Sequence, residues 1–148
     1  MNSSETILQS QLKLLLKNIK KVETIAHGNS MYPYLKNGTK IILNPIFGDL
    51  KLGDVIVFEI NNRVLMHRII KFEAETIFTK GDFNFKPDAG IKKEQVLGKL
   101  ETIYVDSKWV DFYNYKKPLK FWLNFNLYAW PLVLVMRIIL KLRNKQYF

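Results

Sequence analysis

"DVIVFEINNRVLMHRIIKF", residues 54–72, decides how this chain folds. Two apolar runs rich in β-branched residues flank Asn61-Asn62. Asparagine tolerates positive φ, so the pair predicts a tight hairpin turn between two antiparallel strands. Outward from this hairpin the pattern repeats. "TKIILN" (39–44) precedes Pro45 and the turn-rich "FGDLKLGD" (47–54), while "ETIFTK" (75–80) and "QVLGKLETIYV" (95–105) supply two later strands. Short strands separated by Gly/Asp turns predict a mainly antiparallel β domain.

N-terminal to the strands the period changes. In residues 4–25, Leu8, Leu12, Leu15, Ile19 and Val22 recur at steps of four and three, which predicts one apolar face of a helix. Lys13, Lys17, Lys20 and Lys21 lie on other faces. Such a helix either packs its stripe on the domain or lies on an anionic membrane. The first twenty-five residues have no continuous apolar core of the kind a secretory signal needs.

From Lys108 onward the composition turns aromatic, apolar and basic. The apolar run from Leu127 to Met136 is about half the roughly 20 residues that a spanning helix requires. Trp122, Tyr128 and Trp130 favour the bilayer interface, and Lys141, Arg143 and Lys145 favour anionic headgroups. The sequence thus divides into an amphipathic helix (1–27), a β-rich domain (28–107) and a basic, membrane-associated tail (108–148). If the tail lies in the interface without spanning, the protein sits on the cytoplasmic face.

The bulk numbers narrow the chemistry. The 148 residues contain no cysteine, which excludes disulfides, thiolate metal sites and a cysteine nucleophile. With only His27 and His67 available as imidazoles, and no zinc-protease spacing, no metal or other cofactor is expected. The net charge of +10 points toward an anionic partner. The absence of a phosphate loop, zinc finger or RNA-binding aromatic motif argues against nucleic acid.

"HGNSMYPYL" (27–35) reads as a loop that presents Ser30: Gly28 and Asn29 suit a turn, and Pro33 restricts Tyr32. A serine hydroxyl becomes a useful nucleophile only beside a base, usually a histidine held by a carboxylate. His67 lies within a predicted strand, and Asp82 and Asp88 lie in the loop "TKGDFNFKPDAG". Each alone is a common turn or packing residue; the order of five words is what carries information.

"GNSMYPYLKNG", "LKLGDVIVFE", "MHRII", "TKGDFNFKPD" and "VLGKL" fall in sequence over residues 28–100, about half the chain. In this respect the chain resembles the signal peptidase I and LexA-type serine peptidase superfamily. "MHRII" is similar to the histidine-base form found in archaeal and endoplasmic-reticulum-type signal peptidases. The resemblance implies a compact antiparallel β domain of the signal peptidase/LexA catalytic type, carrying the N-terminal helix and a C-terminal apolar helical tail. It implies Ser30 as nucleophile, His67 as base, Asp88 as the acid that orients His67, and Asp82 as a structural or assisting acid. The implied activity is cleavage of a leader or signal segment from a peptide or protein precursor. Two departures qualify it. Gly28 stands where many relatives carry a serine that helps bind the oxyanion, and the amphipathic helix stands where they have a membrane span. These departures leave open a catalytically inactive membrane-surface binding module on the same scaffold. A LexA-like self-cleaving regulator, with the Ala89-Gly90 bond as target, is a further alternative.

Overall fold

A computed structural model describes residues 3–18, 21–45 and 48–115. The Leu127–Met136 run and the tail's aromatic and basic residues lie outside the described residues. Residues 1–115 form one compact unit. Among its described residues are eight antiparallel strands, two short α-helices and one turn of 3-10 helix at Lys93–Gln95.

The strands are β1 (Val22–Ile25), β2 (Lys40–Asn44), β3 (Val55–Ile60), β4 (Arg63–Glu73), β5 (Thr76–Lys80), β6 (Ile91–Lys92), β7 (Val96–Val105) and β8 (Lys108–Asp111). Their order is β1-β2-β7-β3-β4-β5-β6, with β8 also paired to β7. The deciding hairpin forms as expected. Asn61 and Asn62 take φ of 50° and 59°, and Ile60 pairs with Arg63. Positive φ at both central residues matches the turn to the right-handed twist of the flanking strands. β3 is buried on both faces over its first four residues. Val55 and Val57 join one core with Leu16, Leu35, Leu43 and Ile103, while Ile56 and Phe58 join a second with Ile69, Ile77 and Ile91. A central strand covered on both sides has no need of a polar face, which explains its unbroken apolar run.

The helical reading of residues 4–25 requires correction. The helix, α1, spans Ser3–Lys17, and Val22–Ile25 is a strand instead. Three of those four residues are β-branched, and β2 offers them a ladder in which Val22 faces Leu43. Sheet pairing outweighs a helical period that continues only by coincidence. The buried side of α1 also differs from the stripe read in the sequence: Leu16 is buried and Leu12 half-buried, whereas Leu15 is exposed.

The sheet continues beyond the compositional change at Lys108. Asp106 and Ser107, with φ of 50° and 64°, make a second hairpin turn that returns β8 onto β7. A short helix, α2 (Phe112–Tyr115), follows and seats Phe112 in the first core. Among the described residues, no helix is long and apolar enough to cross a membrane.

Candidate active site

His67 lies on β4 opposite Ile56 of β3 and is buried. Its Nδ1 is 2.7 Å from Asp88 Oδ2. A carboxylate oxygen accepts hydrogen bonds, so the contact suits the tautomer in which Nδ1 donates and Nε2 is left to accept. Phe58 packs its ring edgewise against the imidazole, with centroids 6.2 Å apart.

Asp88 is itself held. The Thr79 hydroxyl donates to the same Oδ2 at 2.7 Å, and the Asp88 N–H donates to the Thr79 carbonyl at 2.8 Å. Thr79 is fully buried on β5. One threonine thus orients the carboxylate through its side chain and ties down the loop through its backbone. Sequence reasoning missed Thr79. The available signal was its inward position, two residues after the buried Ile77 on a strand leading into the aspartate loop.

Asp82 does not contact His67 in the same way. Its two carboxylate oxygens accept from Arg68 Nε at 2.7 Å and Nη2 at 2.6 Å. Arg68 Nη1 donates to the Gly53 carbonyl at 2.9 Å, and the guanidinium lies over the rings of Tyr34 and Phe112 at 5.4 and 5.7 Å. Asp82 and Asp88 therefore serve adjacent residues on β4, whose side chains leave opposite faces of the strand. Arg68, immediately after His67 in "MHRII", is the second residue that sequence reasoning passed over. Its burial marks it as a paired cation.

The electrostatics around Asp82 follow from burial. Burial pushes the Tyr34 phenol above its ordinary range, the Asp82 carboxylate adds to the rise, and Arg68 opposes it. Burial also pulls the Lys80 ammonium below its ordinary range, while Asp82 acts against that fall.

Ser30 is half-buried in a series of turns between β1 and β2. Gly28 adopts φ of 82°, and its N–H donates to Asn37 Oδ1 at 2.9 Å. Buried Met31 and Leu35 anchor the following turn, with the Leu35 N–H donating to the Met31 carbonyl at 2.9 Å. The Tyr32-Pro33 peptide is cis. The aspartate loop grips this segment: the Phe83 N–H donates to the Ser30 carbonyl at 2.8 Å, and the Tyr32 and Phe83 rings meet edge to face. Gly81 permits the approach, since a Cβ there would lie 2.8 Å from the Ser30 carbonyl oxygen and 2.7 Å from Asn84 Nδ2. The loop that carries Asp82 and leads to Asp88 is thereby bonded to the backbone of Ser30.

The arrangement supplies an imidazole of defined tautomer, a buried carboxylate behind it, and a serine-bearing turn locked to the same loop. Compared with protein-family models and with curated proteins, the chain matches none.

Proposed function

We propose that the protein is a serine endopeptidase of the signal-peptidase type that cleaves a leader or signal segment from a peptide or protein precursor. The observation that carries this reading is the 2.7 Å contact between His67 and Asp88, with Thr79 fixing the carboxylate from behind. A histidine used only for packing has no need of an oriented acid.

In this reading the Ser30 Oγ attacks the scissile carbonyl carbon as its proton passes to His67 Nε2. Asp88 stabilises the imidazolium that results. The tetrahedral intermediate collapses as His67 returns the proton to the leaving amine, and an acyl-enzyme on Ser30 remains. Water, deprotonated by the same imidazole, then attacks the ester and releases the second product. With glycine at position 28, oxyanion stabilisation falls to backbone N–H groups, that of Ser30 foremost. The fold is of the signal peptidase/LexA catalytic type, and the basic aromatic tail holds the enzyme at a membrane surface.

The test is labelling by a serine-directed acylating reagent, followed by cleavage of a peptide library. The wild type is expected to label at Ser30 and to cut peptides, and Ser30→Ala to do neither while unfolding at the same temperature. A wild-type protein that stays unlabelled removes the enzyme and leaves a binding module on the scaffold. Cleavage by Ser30→Ala removes the nucleophile. Two fragments of the purified protein, cut between Ala89 and Gly90, favour a self-cleaving regulator.

A further inference from the structure

β1 is a terminal strand of the sheet, and β5 pairs with β4 only from Arg68 onward. β1 and the segment of β4 before Arg68 therefore each present an open edge. The directions of the backbone groups can be worked out. The Val64 N–H donates to the Gln9 side chain, so it points away from β3, and antiparallel alternation turns the N–H and C=O of Met66 the same way. On β1, Ala26 exchanges bonds with Thr39 and Gly38 on the β2 side, so the polar backbone of Ile25 faces outward.

An apolar cavity of about 120 Å³ lies between these edges. Residues 25–27 of the β1 end, residues 64–66 of β4, the buried Leu43 and Val57, and Gln9 and Leu12 of α1 all line it. Along the chain, residues 25–27 lead to Ser30 and residues 64–66 lead to His67. An extended peptide pairing with the β4 edge would take the Val64 N–H that Gln9 now holds.

We infer that α1 is an autoinhibitory strap over this cleft. It occupies the backbone donor and the apolar seat that a precursor peptide needs, and the peptide enters when the N-terminal part of α1 lifts. This inference rests on the peptidase reading of Ser30, His67 and Asp88. The attachment is graded along the helix. Gln9 holds Val64 at a long 3.4 Å, and Lys13 pairs with Glu59 where both side chains are about one-third exposed. By contrast, Leu16 is buried against Gly98, where an added Cβ would lie 3.1 Å from its Cδ2. The polar contacts at Gln9 and Lys13 are of the kind that break cheaply, whereas Leu16 can serve as the fixed end.

The experiment compares two serine-phosphonylating reagents with the same reactive group on the full chain. One is a small alkyl fluorophosphonate, which needs only the serine and its base. The other carries an extended peptide, which also needs the cleft. Gln9→Ala and Lys13→Glu are each expected to speed reaction with the peptidyl reagent about three- to tenfold, and to leave the small reagent within about twofold. The swap Lys13→Glu/Glu59→Lys should return the peptidyl rate toward that of the wild type. Peptidyl rates that stay level or fall, in variants that react normally with the small reagent, overturn the strap. Failure of the swap to slow the reaction again overturns the Lys13–Glu59 latch. If the small reagent never labels Ser30, the peptidase reading fails and takes the strap with it.

Discussion

Replacing Asp82 with alanine should cost a large share of the stability of the folded unit. The Arg68 and Asp82 side chains are only 6% and 3% exposed. The carboxylate accepts two of the guanidinium's hydrogen bonds, at 2.7 and 2.6 Å. Once it is removed, Arg68 retains the Gly53 carbonyl and the faces of Tyr34 and Phe112, and a guanidinium cannot shed its charge. An uncompensated buried charge of this kind costs about 3–5 kcal/mol. Domains typically unfold with about 5–15 kcal/mol, so the variant should sit near the edge of folding. Its melting temperature should drop by about 10–20 °C for a unit of this size. Urea unfolding followed by circular dichroism measures the change, and an unaltered slope would assign the loss to the native state. Arg68→Met/Asp82→Leu removes both charges and should recover most of the loss. A cost below about 1 kcal/mol for Asp82→Ala would refute the reasoning, because it would place the pair in the class of solvent-screened surface bridges.

Asp88→Asn tests the other aspartate. An amide N–H turned toward His67 selects the wrong tautomer, so acylation of Ser30 should fall by about 10³- to 10⁴-fold with only a modest change in melting temperature; stopped-flow acylation reads this directly. Gly81→Ala should slow the same acylation, because its Cβ would press on the Ser30 carbonyl, and circular dichroism should show the β structure retained. Tyr113→Phe tests alkaline stability. Burial raises the Tyr113 phenol far above its ordinary value, and its oxygen accepts the Val55 N–H at 3.0 Å. Above about pH 10 the unfolded tyrosine loses its proton while the folded one keeps it, so stability falls as pH rises. Tyr113→Phe should cost about 1 kcal/mol at neutral pH and flatten that decline; urea midpoints from pH 8 to 11 measure both effects.

Local chemistry made several features legible. The Asn61-Asn62 turn and five strands, β2, β3, β4, β5 and β7, could be read from turn residues and apolar runs, since those signals act over a few neighbouring positions. β1 could not be separated from the helix before it, because Val22 happens to continue the helical period and only β2 supplies the competing partner. β8 lay hidden for a related reason. Lys108, Trp109 and Asp111 are exposed and resemble the tail in composition, and the edge of β7 is what makes them a strand.

At the candidate site, the sequence alone determined the inventory: one serine in a turn, one histidine in a strand, two aspartates in a loop, and no thiol. Spacing could not say which aspartate meets the imidazole. Neighbouring residues on a strand point to opposite faces, so moving one position along β4 exchanges His67 for Arg68 and one carboxylate partner for the other. Tertiary structure decided that Asp88 lies against His67, that Thr79 stands behind it, and that Gln9 and Leu12 of α1 line the cavity beside β1 and β4. These relations depend on the register between strands that are distant in the chain, which burial and long-range pairing set only when the whole sheet assembles.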